Sequence, residues 1–120
     1  MTSDTCCTIV PYFKIHEGKV AEFRSLCEAF VEKTQSEPKC LYYGFSFTGE
    51  DRVHCREGYI DADGLLNHLT NVGDLLGKAL GIADVERLEV HGPESELEKL
   101  KGPLADLNPE YFVLEYGFRR

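Results

Sequence analysis

The sequence predicts an α+β domain of the ferredoxin-like kind: β-α-β-β-α-β, with helices on one face of a four-stranded antiparallel sheet. Three observations lead there. A long amphipathic helix stops at Pro38, an aromatic strand of period two begins straight after it, and a tight polar turn at Gly49-Glu50-Asp51 folds that strand into a hairpin before a second helix.

Each element has its own reason. Thr5 to Phe13 is rich in β-formers, and Pro11, which lacks an amide donor, predicts an edge strand or a bulge there. From about Glu17 to Gln35, Val20, Phe23, Leu26, Cys27, Phe30, Val31 and Thr34 share one helical face. Pro38 disfavours helical geometry at Glu37 and ends it. In the strand 40–48, Leu41, Tyr43, Phe45 and Phe47 alternate with Tyr42, Gly44, Ser46 and Thr48. In its partner 52–60, Val53, Cys55, Glu57 and Tyr59 share one face, and His54, Arg56, Gly58 and Ile60 the other. Asp61 or Asp63 caps a helix whose buried stripe is Leu65, Leu66, Leu69 and Val72; Asn71 and Gly73 break it, and 74–80 resumes. Ala83 to His91 reads as the fourth strand. Pro93 opens a short acidic helix, and Tyr111 to Phe118 alternates as a last strand, with Phe112, Leu114, Tyr116 and Phe118 on one face.

At 120 residues the chain is one domain, with a core over about 5–91 and a C-terminal extension over 92–120. A domain of this size buries roughly two thirds of its unfolded surface. Its net charge of −8, with basic residues scattered, argues against nucleic acid or an anionic membrane as a partner. No apolar run approaches the roughly 20 residues of a membrane helix and no signal-peptide pattern is present, so a cytoplasmic protein is expected. The five cysteines are odd in number and lack metal-type spacing, which points to reduced thiols used as small apolar residues rather than a redox or catalytic pair, and to no metal. There is no phosphate loop, dinucleotide fingerprint or nucleophile elbow.

Helices cover only one face of such a sheet. The other still carries apolar and aromatic groups, Tyr42 among them, and a bare apolar face buries against something; a second copy of the chain is the simplest partner.

Four segments, in order and spacing, resemble the antibiotic biosynthesis monooxygenase domain family. They are Glu17-Gly18-Lys19, Glu37-Pro38-Lys39-Cys40-Leu41-Tyr42-Tyr43, Arg56-Glu57-Gly58-Tyr59 and His68-Leu69. The likeness covers about Thr8 to Val90. It implies a homodimeric α+β barrel and, in some members, oxygenation of aromatic polyketides or quinols with no metal, flavin or haem as cofactor. Other members degrade haem with the help of a Trp; this chain has none, and Tyr59 stands where the family often has Trp. The extension from Gly92 lies beyond the minimal domain and is expected to extend the sheet or swap across the dimer.

On that scaffold the leading expectation is a cofactor-independent monooxygenase acting on a small aromatic or quinol ligand. Such an enzyme needs a dry pocket, a base and hydrogen bonds to a phenolate. His68, beside Leu65, Leu69 and Val72, is the expected base, and Tyr59 a pocket wall or hydrogen-bond donor; a boundary histidine on the helix surface is the plainer alternative for His68. Tyr43, Phe45 and Glu57 are the expected substrate-binding residues, the tyrosines alternatively being core or interface aromatics. Glu57, a carboxylate on an apolar face, needs a partner, either an Arg across the dimer or a ligand. Arg56 and His54 alternate to the other face, and His91 is expected at the surface. The alternative functions are a non-catalytic small-molecule-binding or stress-response barrel, and another reaction on the same scaffold, such as isomerisation or haem degradation.

Overall fold

In the computed structural model, which describes residues 3–120, the chain alternates as the periodicities require. Strand β1 (Cys7–Ile15) is followed by helix α1 (Val20–Thr34), strands β2 (Cys40–Thr48) and β3 (Arg52–Tyr59), helices α2 (Ala62–Asn71) and α3 (Gly73–Ile82), and strand β4 (Ala83–Gly92). The extension adds helix α4 (Glu94–Lys101), a 3-10 turn over Ala105–Leu107 and strand β5 (Glu110–Val113). The sheet order is β2-β3-β1-β4-β5. The first four strands pair antiparallel and β5 pairs parallel to β4, so the sheet is five-stranded and mixed rather than four-stranded and antiparallel.

Strand alternation sorts the side chains. Ile9, Phe13 and Ile15 of β1 and Val53, Cys55, Glu57 and Tyr59 of β3 point under the helices and are buried. They meet Phe23 and Phe30 of α1, Leu65 of α2, Val72 at the α2–α3 junction, and Ala79 and Ile82 of α3. Leu97 and Leu100 of α4, with Leu104, join this core at the other end, so the extension is part of the packing. Asp61 caps α2 by accepting from Gly64 N at 2.9 Å, and Glu96 accepts from Ala62 N at 2.9 Å, so two carboxylates sit at the positive end of that helix. Gly49, at φ +64, supplies the left-handed residue of the β2–β3 turn.

Three expectations need correction. Of the two readings of Pro11, the bulge holds and the edge does not: β1 lies at the centre of the sheet, its register to β4 shifts between Tyr12 and Phe13, and the ladder to β3 has no pair at Val10 or Pro11. Leu41 is exposed, because a register shift between Cys40 and Tyr42 takes it off the apolar face that Tyr43, Phe45 and Phe47 keep. The last strand ends at Val113: Gly117, at φ +151, is in a backbone region closed to most residues, and Tyr116 (82% exposed) and Phe118 (78%) pack on no sheet.

Candidate active site

The site is built where α1, α2 and the hairpin converge. The C-terminal end of α1 unwinds through Gln35, and the turn before Pro38 carries Glu37, whose N–H donates to Thr34 O at 3.0 Å. This turns the Glu37 carboxylate inward. His68 lies one turn from both Leu65 and Val72 on the buried stripe of α2, so helical periodicity directs its ring to the same place. Glu57 comes from the inner face of β3, directly opposite Ile9 on one side and Tyr43 on the other.

These three side chains form a chain. With Glu37 ionised, His68 Nδ1 is the protonated nitrogen and donates to the carboxylate, at 2.9 Å from Oε2 and 3.1 Å from Oε1. Asn71 Nδ2 also donates to Glu37 Oε2, at 2.8 Å. On the other side of the ring, His68 Nε2 lies 3.2 Å from Glu57 Oε1, the same oxygen that accepts the Tyr59 hydroxyl at 2.6 Å. The imidazole is held between the rings of Tyr43 and Tyr59, each with its centroid at 5.1 Å. Relative exposure is 2% for His68, 4% for Glu57 and 8% for Glu37.

Burial sets the protonation. It raises the Glu57 pKa from 4.5 to about 7, partly opposed by hydrogen bonding from Tyr59 and Cys55. It lowers that of His68, with the Glu37 carboxylate pulling the other way. The result is an acid poised near neutrality beside a largely neutral imidazole, in contact with one another, which suits general acid–base work. The thiols are different. Burial holds Cys27 and Cys40 at about 11 and Cys7 at about 12, and raises Cys55 further, so none is a ready thiolate nucleophile.

Glu57 and His68 face a cavity of about 70 Å³ between sheet and helices, walled by Ile9, Phe13, Phe30, Phe45, Val72 and Leu76. Its other polar groups belong to Tyr43 and Cys55. Leu80, Val85 and Leu107 line it while 41–44% exposed, and so mark its mouth; Leu107 comes from the C-terminal extension.

Four of the five expected site residues, His68, Glu57, Tyr43 and Phe45, therefore line one cavity. Tyr59 does not: fully buried behind Glu57, it supports the carboxyl rather than walling the pocket. Within the chain Glu57 already has partners, His68 and Tyr59. His54 stacks on Tyr12 on the opposite face of the sheet, and Arg56 lies over Tyr42 there, as their alternation required. Glu37 was missed. The signal for it was a lone carboxylate at the end of an amphipathic helix, in register with the buried Thr34.

The fold is that of the antibiotic biosynthesis monooxygenases. The chain superposes on an antibiotic biosynthesis monooxygenase at TM-score 0.62 and 20% identity, over 70% of this chain and 92% of that one. It superposes on SnoaB, a cofactor-independent oxygenase from Streptomyces nogalater, at TM-score 0.64 and 17% identity, over 72% and 90%. A far nearer likeness covers the whole chain, extension included: MupZ from Pseudomonas fluorescens, at TM-score 0.93 and 50% identity over 93% of that protein. The chain belongs to the MupZ family. No family model and no curated sequence matches it.

Proposed function

We propose that the protein is an enzyme that moves a proton at a small, mainly apolar substrate, with Glu57 and His68 as the acid–base pair. The observation that carries this reading is the Glu37–His68–Glu57 chain opening onto an otherwise apolar cavity. Burying two carboxyl groups and an imidazole together costs several kcal/mol that a purely structural core would avoid. A cavity walled by Phe13, Phe30 and Phe45 suits an aromatic ring or another flat apolar body.

The leading reaction is cofactor-independent oxygenation of a small aromatic or quinol. The pair removes a phenolic proton, and the resulting anion supplies the electrons that reduce oxygen, in a cavity from which water is largely excluded. The fold shared with SnoaB supports this by analogy alone. The second reading is a proton transfer without oxygen, such as isomerisation. It is favoured by Glu57 itself, which at about 7 is as ready to donate a proton as to accept one.

Binding and oxygen consumption with a panel of phenols and hydroquinones, run in air and under argon, test the proposal. Oxygen uptake that Glu57→Gln removes supports oxygenation. Turnover that persists under argon supports the second reading. A panel that binds in the cavity and is left unchanged under both atmospheres favours a binding protein. We further propose a homodimer that covers the sheet face opposite the helices, where Tyr12, Tyr42 and Phe112 remain partly exposed.

A further inference from the structure

The Glu37–His68–Glu57 chain spans two separate hollows. Glu57 and His68 line the apolar cavity; Glu37 does not. Glu37 lines a different cleft, of about 230 Å³, on the far side of Tyr43, with Thr34, Gln35, Cys40, Leu41 and Tyr42; Glu57 and His68 are absent from it. Tyr43 is the wall between the two. The cleft is open: Gln35 and Leu41 at its lip are exposed. Its lining is also wet in kind. The Thr34 hydroxyl is buried and has no hydrogen bond of good geometry, although the Tyr43 hydroxyl is a neighbour, and a buried hydroxyl in that position is a natural partner for a bound water. In the apolar cavity the side-chain polar groups beyond the catalytic pair are those of Tyr43 and Cys55 alone.

We propose that Glu37 is a positioning and proton-relay residue: protons exchange between solvent and Glu57 through the cleft, by way of Glu37 and His68, and not through the mouth that admits substrate. When Glu57 gives up a proton it passes to His68 Nε2, while the Nδ1 proton passes to Glu37 and on to water in the cleft; on the return Glu37 takes a proton from water and hands it to Nδ1 as Nε2 gives its own to Glu57, so the imidazole is neutral before and after each transfer. Among the described residues no other titratable side chain is a hydrogen-bond or ion-pair partner of the imidazole; Tyr43 and Tyr59 flank its faces, and burial raises both phenols, which keeps them protonated. The arrangement lets an apolar substrate seal the cavity while the acid–base pair still resets.

This inference rests on the acid–base reading of the site, but its test needs no substrate and so can fail separately. Histidine is labelled with ¹⁵N, and exchange of the His68 ring proton with water is followed by NMR, with and without naphthalene as a probe that fills the apolar cavity. Wild type is expected to exchange at the same rate with naphthalene bound. Leu41→Trp, which plugs the cleft from its exposed lip and leaves all three relay residues in place, should slow exchange by at least ~10-fold, and Glu37→Gln by a similar factor. In Glu37→Ala, added formate should restore exchange, which it would not do if Glu37 merely held the fold. Exchange indifferent to Leu41→Trp overturns the proposal whatever Glu37→Gln does. Exchange that naphthalene abolishes in wild type overturns it as well.

Discussion

The two faces of the sheet are built from the same strands one residue out of step, and they hold opposite kinds of polarity. On the helix side, Glu57 is buried with His68 and Glu37 around an apolar cavity, and its charge is suppressed by burial. On the other side, the next residue, Arg56, lies over Tyr42 and stays exposed, while Arg87, Glu89 and His91 form a solvent-accessible cluster beside Phe112. Water decides the difference. The same ionisable chemistry that is a titratable device in the dry face is ordinary surface charge on the wet one. Substitutions under the helices should therefore change chemistry, and those on the open face association.

The largest effects belong to the dry face. His68→Ala or Glu57→Gln should lower turnover of any active substrate by about 10²- to 10⁴-fold while the circular dichroism spectrum stays native. Unchanged turnover in both variants would remove the pair from the mechanism. On the open face, Tyr12→Asp places a charge at the centre of the proposed dimer contact. An unpaired charge buried there costs about 3–5 kcal/mol, enough to yield a monomer at micromolar concentration by sedimentation. Wild type should sediment at twice its chain mass of 13.6 kDa. A wild-type monomer would break the comparison, leaving the aromatic face bare.

Stability against pH gives the next effect, and its sign follows from the two shifts. Glu57 has a higher pKa folded than unfolded, so between about 4.5 and 7 the native state binds the extra proton and stability falls as pH rises. His68 has a lowered pKa, so its contribution runs the other way and stability is gained as pH rises towards 6.5. Glu57→Gln removes the first and leaves the second. Relative to wild type, the variant should gain up to about 3 kcal/mol between pH 4.5 and pH 8 in urea melts. A constant difference across that range would mean that Glu57 titrates as a solvated carboxyl. The smallest effect is at the surface: Lys101→Ala loses a pair with Glu98 at 2.8 Å between exposed side chains, and should leave the urea midpoint unchanged.

Much of this was readable from the chain. Periodicity placed α1, the hairpin and α2, and it put His68 and Glu57 on inward faces, because helix and strand repeats are local properties. Glu37 was only faintly readable: its spacing from Thr34 hinted at burial, but it lies past the end of the helical repeat, and its burial depends on how the turn after α1 docks against α2. The same limit explains β1. Pro11 marks a place without a donor, but whether the strand beside it is missing or merely unpaired there is settled by the sheet order. At the tail, the alternation of Phe112, Leu114, Tyr116 and Phe118 was real in sequence and yet made a strand only to Val113, because an alternating pattern states a preference and not the presence of a neighbour to pair with.

The central claim is that Glu57 is a neutral-range acid held by burial next to His68. Titrating the Glu57 side-chain carbon by ¹³C NMR, assigned by its loss in Glu57→Gln, tests it most directly. The account predicts a midpoint near 7, with the His68 ring shifts responding over the same range. A midpoint near the ordinary 4.5, with His68 silent, would contradict it.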